Sequence, residues 1–140
     1  MEIAKTHLTW NLFYWSALIV LGHFIAVLWH LFLVVKVQPS FPSVAIPLLI
    51  LFNLLPVAGL LVIPKGFPKL AGSMVALPLA TALVVGVYQH FLSSGTDNVF
   101  AMPSVAFRVP FQISAVLLVI LEALGVWLGL RIFASGKYTR

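Results

Sequence analysis

Four long stretches of almost unbroken apolar sequence dominate this chain: Asn11–Val35, Val44–Ile63, Leu70–Phe91 and Pro110–Phe133. A helix crosses roughly 30 Å of hydrocarbon with about 20 residues at about 1.5 Å each, so each stretch is long enough to span a bilayer. Inside hydrocarbon the backbone must satisfy its own hydrogen bonds, which leaves helices or a closed barrel. Barrel strands alternate apolar and polar residues, whereas these runs are continuously apolar. The expected fold is therefore all-α: an integral membrane protein built as one antiparallel four-helix transmembrane bundle over residues 1–140.

Composition excludes the other classes. The chain of 140 residues is 62% hydrophobic and only 8% charged, with no cysteine. A water-soluble globule carries about 25% charged residues. Disorder, a disulfide scaffold and a coiled-coil rod are excluded too. Outside the four runs, no segment is long enough for a soluble domain. The longest connection, Leu92–Val109, carries the polar run Ser93–Asn98. Lys5 precedes the first run as in a signal peptide, but the run far exceeds a roughly 7–15-residue signal core and is read as a retained crossing.

Charge sets the expected orientation. Four crossings put both termini and the second connection on one side, with Lys5, Lys65, Lys69, Arg131, Lys137 and Arg140; Lys36 and Arg108 lie opposite. The positive-inside rule places both termini in the cytoplasm of a multi-pass protein of a cell inner membrane. The same asymmetry accounts for the basic character, so no nucleic-acid partner is implied. Trp10, Tyr14 and Trp15 fall at the inner interface, and Trp29 and Tyr88 approach the outer one.

Prolines mark the connections. Pro39 and Pro42 separate the first two runs, Pro64 and Pro68 the next two, and Pro103 and Pro110 precede the fourth. Each lacks an N–H and disfavours helix in the residue before it. Pro56 and Pro78 lie within runs and are expected to free carbonyls there. No internal repeat relates the two halves, which argues against a duplicated-half transporter.

Function has to be sought in polar residues within the spans. His23, Asn53, Thr81 and Glu122 each fall near the middle of one run. An ionised carboxylate there costs roughly 2.5–3.5 kcal/mol or more, so these groups are expected to face one another in the bundle. Glu122, the one acidic residue in any run, is expected to pair with His23, bridged by Asn53. Such a set is either a proton relay or a buried polar layer that fixes packing.

Ser16, His23 and His30 recur every seven residues and form one helix stripe. Gly125 and Gly129 form a small-xxx-small packing motif on the Glu122 face. Its partner is the first helix or the fourth helix of a second copy. A second polar group collects His30, His90, Arg108 and Gln112 toward the outer end. Two imidazoles from different helices could hold the iron of haem b between them, or one of them the metal of another tetrapyrrole, with Arg108 or Gln112 near its acidic substituents. On the third helix His90 falls opposite Thr81, so only one of them faces the bundle axis.

No phosphate loop, dinucleotide fingerprint, CxxC or HExxH occurs, and with no second intramembrane acid a carboxylate dyad is excluded. An enzyme is the least favoured class. The leading expectation is an accessory or structural subunit of a larger membrane complex. It rests on the lack of an extramembrane domain and on the close-packing face of the fourth helix, with other subunits or a second copy as partners. The alternatives are a proton-linked transporter or channel using Glu122 and His23, and a tetrapyrrole carrier using His30 and His90.

Overall fold

The computed structural model describes residues 2–37, 45–94, 98–101 and 105–136, with side chains at 11–36, 47–94, 98–101 and 105–136. Pro39, Pro42, Asp97, Met102 and Pro103, and the side chains of Lys5, Trp10, Lys137 and Arg140, lie outside them. The described residues are all-helical, with no strand. Helices α1 (Glu2–Val37), α2 (Ala45–Val62), α3 (Pro68–Val87) and α4 (Val105–Ser135) are each long and apolar enough to cross a membrane. They pack together as a small membrane-protein bundle.

The connection from α2 to α3 is short and fully specified by its residues. Ile63–Lys65 tightens into a 3-10 turn around Pro64. Gly66 follows at φ 79° and donates its N–H to the Ile63 carbonyl at 3.2 Å. That left-handed geometry favours glycine, which has no Cβ to clash. Pro68 then opens α3 at its first position, where no N–H is needed.

Two expectations about proline differ in outcome. Pro56 and Pro78 do sit inside α2 and α3, and both are buried. Pro110 does not precede α4 but lies inside it, because the helix begins at Val105. So close to a helix end, the lost bond leaves only the Ala106 carbonyl to be satisfied by other means.

The tightest pairing is α3 against α4. A methyl group at Gly129 would sit 2.7 Å from the Ala76 backbone nitrogen, and one at Gly72 would sit 2.6 Å from the Gly129 carbonyl oxygen. A methyl at Gly125 would collide with the Leu79 side chain. The nearest neighbour on the close-packing face of α4 is therefore α3 of the same chain, which the sequence did not point to, while Ile19 of the expected first helix also reaches Gly125. The small-residue face of α3, Gly72 and Ala76, was the overlooked complement. Helix α1 also packs on α4 and α2 on α3, while α1 and α2 meet more sparsely than any of these pairs.

Two apolar clusters bracket the middle of the bundle. Near the α2–α3 turn, Val20, Leu60, Ala71, Val75, Leu79 and Ile132 pack together. At the opposite end, Leu33, Val34, Val99, Phe111 and Ala115 do the same. The connection after α3 is folded onto this second end. Asn98 is buried, donates to the Ser93 carbonyl at 2.6 Å and accepts from the Phe100 N–H at 2.8 Å. Asn98 and Val99 turn inward, and Phe100 is left exposed.

Candidate functional site

Between the two apolar clusters lies a layer of buried polar side chains. His23 Nε2 lies 3.3 Å from Glu122 Oε1, joining α1 to α4 across 99 residues of sequence. Both side chains are almost completely buried. Glu122 Oε2 has no hydrogen-bond partner, and neither does Ser16 Oγ one stripe position away on α1. Next to Glu122 Oε2 is Gly86 of α3, where a methyl group would stand only 3.6 Å from the oxygen. Gly86 escaped the sequence reading, although it sits one helical turn before His90.

Asn53 is buried but does not bridge this pair. Its amide donates to the Leu49 carbonyl of its own helix at 2.7 Å, and its Oδ1 is left without a partner. Thr81 departs further from the expected layer. It is exposed and donates to the Leu77 carbonyl at 3.0 Å. Both residues use the same escape: a polar side chain in a helix can bond the carbonyl four residues back. Of the opposed residues on α3, His90 is the one that is buried.

The second polar group is an aromatic cluster. His90 sits in a π-helical turn, Tyr88–Leu92, that continues α3, and the His90 carbonyl accepts the Val99 N–H at 2.9 Å. The His30 and His90 rings meet edge to face with centroids 4.7 Å apart, and Phe111 lies 4.7 Å from His30. Ser114 Oγ donates to the Phe111 carbonyl at 2.8 Å and lies 2.8 Å from His30 Nδ1. With its one proton committed to the carbonyl, the hydroxyl accepts from His30 Nδ1–H. In the neutral ring His30 Nε2 is then left as an acceptor.

Arg108 is exposed near the start of α4. Gln112 donates to the Val99 carbonyl at 3.0 Å and so ties the folded-back connection to α4.

Ligation of one haem iron by both imidazoles can be tested against these distances. With metal–imidazole bonds of about 2 Å, two imidazoles on opposite sides of one iron have centroids roughly 6 Å apart, with the macrocycle between them. His30 and His90 are already in ring contact at 4.7 Å. A porphyrin plane does not fit between them. Among the described residues, no three His, Cys, Asp or Glu side chains gather to hold a metal ion.

Both polar groups border one cavity of about 240 Å³. His23, Glu122, Asn53, His30, His90 and Gln89 supply its polar wall, and the remainder is mostly leucine, valine, alanine and phenylalanine. All four helices contribute. The cavity lies beside the weak α1–α2 seam and is bordered by Leu48 and Val85, which are exposed on the outside of the bundle. A buried acid, an imidazole and unpaired acceptors around one void can exchange a proton or hold a hydrogen-bonding ligand. Comparison with protein-family models, curated proteins and solved structures finds no match to this chain.

Proposed function

We propose that the chain is a proton-linked transporter or channel in which Glu122 and His23 form the protonatable pair. One observation carries this reading: Glu122 engages His23 through a single oxygen, while its other, unpartnered oxygen belongs to a side chain that lines the cavity. A carboxyl kept only for packing gains by having both oxygens satisfied, since an unpaired buried acceptor costs about 1–3 kcal/mol. A carboxyl that must take up and release a proton gains from one oxygen held by no fixed partner.

The accessory-subunit reading has lost one of its two supports. The glycine face of α4 that was expected to receive a partner is filled by α3. Other subunits or a second copy would have to bind elsewhere, on the lipid-facing surface.

The proposed setting is a cell inner membrane, with antiparallel consecutive helices and both termini cytoplasmic. Contacts of Pro68 with Gly136, Gly72 with Phe133, and His90 with Phe111 support the opposed course of α3 and α4. The lysine and arginine asymmetry supports the orientation.

Proteoliposomes with an internal pH dye and a clamped potential test the function. Wild-type protein should dissipate an imposed proton gradient faster than protein-free vesicles, and Glu122→Gln should return the rate to that background. Unchanged flux in Glu122→Gln would remove the relay.

A further inference from the structure

The cavity occupies one half of the bundle only. On α1 it is lined between residues 23 and 34, on α2 between 48 and 53, on α3 between 82 and 90, and on α4 at 118 and 122. These positions lie at the level of the His23–Glu122 pair or toward the end where Leu33, Val99 and Phe111 pack. Toward the α2–α3 turn the bundle is solid. One turn from Glu122 in that direction, Gly125 receives the Leu79 side chain and Ile19, and Val20, Val75 and Ile132 are buried. Small residues are the cause: Gly72, Ala76 and Gly129 bring the backbones of α3 and α4 close on this side. At the other end the rings of His90 and Phe111 stand between the two helices, with centroids 5.8 Å apart.

The lined half reaches a membrane surface. Gln89 is exposed and belongs to the lining, and it stands about 30 Å along its helix from Pro68, the thickness of the hydrocarbon. His90, next to it, is buried and lines the same space. A methyl group on Gly86 would meet Glu122 Oε2 at 3.6 Å and the His90 ring at 3.9 Å. Glycine thus leaves the α3 surface bare between the acid and the imidazole. At about 240 Å³ the cavity has room for several waters, and its polar side chains give them partners. On the packed side, Ser16 is the one buried polar side chain among the described residues, and its hydroxyl has no hydrogen-bond partner. A single hydroxyl makes no chain of hops.

We infer that the His23–Glu122 pair exchanges protons with one membrane face only, the face of the α3–α4 connection, and that His90 is the entrance group on that route. The inference rests on the proton-linked reading and adds its direction. A hydronium ion at the Gln89 mouth protonates one ring nitrogen of His90. The other nitrogen then releases its own proton through cavity water toward Glu122, so the imidazole ends each transfer neutral. Imidazole suits this place because its two nitrogens can face two partners at once. With the other half of the bundle packed shut, the arrangement is that of a transporter and not of an open channel.

The lack of cysteine opens the route to a direct test. Val27, one turn from His23 on the open side, lines the cavity, and Val20, on the other side of His23, is sealed at 2% exposure. Each is replaced by cysteine, and a charged thiosulfonate is applied to right-side-out and to inside-out membrane vesicles. Phe100→Cys and Lys65→Cys mark the two faces. From the Phe100 face, Val27→Cys should react at least about tenfold faster than from the Lys65 face, and about tenfold faster than Val20→Cys, since a buried thiol is inert. Reaction of Val27→Cys equally from both faces, faster from the Lys65 face or from neither overturns the one-sided route, and so does equal reaction of Val20→Cys. His90→Phe keeps a ring against His30 and Phe111, so it should hold its thermal midpoint while proton flux falls at least about tenfold. His90→Ala should also lose flux and regain it with free imidazole, above the rate of protein-free vesicles given the same imidazole. Flux retained in His90→Phe, or lost in His90→Ala without rescue, overturns the entrance role. Absence of flux in the wild type is a different failure, which removes the proton-linked reading itself, whereas wrong-sided labelling with flux intact removes the route alone.

Discussion

His23 Nε2 meets Glu122 Oε1 at 3.3 Å in the middle of the bundle, and this contact links α1 to α4 through side chains that water barely reaches. Removing either partner alone strands the other. Breaking a buried pair from one side typically costs about 3–5 kcal/mol, whereas replacing both partners with apolar groups of similar size is often neutral. His23→Leu and Glu122→Leu should therefore each destabilise the bundle by about 3 kcal/mol. The double variant should recover much of that loss. Reversible unfolding in mixed micelles of denaturing and mild detergent measures all three, and strictly additive losses would show that the pair is not coupled.

The α3–α4 interface predicts a sharp contrast between two glycines on different helices. At Gly129 an added methyl meets the backbone of Ala76 at 2.7 Å, and backbone cannot step aside. At Gly22 it meets only the end of the Leu121 side chain at 3.7 Å, an ordinary contact. Gly129→Ala should destabilise by about 2 kcal/mol or more through forced helix separation. Gly22→Ala should be neutral or slightly stabilising, because alanine is the better helix former. The same unfolding assay reads both, and equal effects would place the α4 face against some other surface.

Thr81 and Asn53 share a chemistry but differ in what surrounds them. Thr81 is exposed and bonded to its own helix, so Thr81→Val should change stability by less than about 0.5 kcal/mol and leave proton flux untouched. A marked loss of flux in that variant would return Thr81 to the polar layer. These two residues also show where sequence reading reached its limit. The four crossings were legible because hydrocarbon gives an apolar run of such length no other way to bond its backbone. The His23–Glu122 pair was legible because an ionised carboxylate only accepts hydrogen bonds, so no carbonyl of its own helix can satisfy it. Asn53 and Thr81 are not so constrained: each donates to the carbonyl four residues back, so equal depth did not imply mutual contact. The motif at Gly125 and Gly129 announced a close approach but carried no label for the approaching helix, and the answer lay in the small residues of α3.

The contact between His30 and His90 makes a spectroscopic prediction. Haem b added to the purified protein should fail to give the absorption of an iron held between two imidazoles, because the rings stand in contact at 4.7 Å with Phe111 against them. His30→Ala and His90→Ala should leave the spectrum of added haem unchanged. Titration in the visible region checks both, and a stoichiometric low-spin spectrum lost in either variant would restore the tetrapyrrole reading.

The proposed orientation is open to direct measurement because the chain contains no cysteine. A single introduced thiol is then the one reactive group of its kind. Lys65 lies exposed in the α2–α3 turn, and Phe100 lies exposed in the connection before α4, at opposite ends of α3. Neither side chain fills a core position, so Lys65→Cys and Phe100→Cys should preserve the bundle. With the basic side facing the cytoplasm, a membrane-impermeant maleimide applied to intact cells should label Phe100→Cys, and should reach Lys65→Cys only after the membrane is opened. The reverse pattern would turn the protein over. Labelling of both positions from outside would contradict the crossing of the membrane by α3, and with it the depth assigned to Glu122.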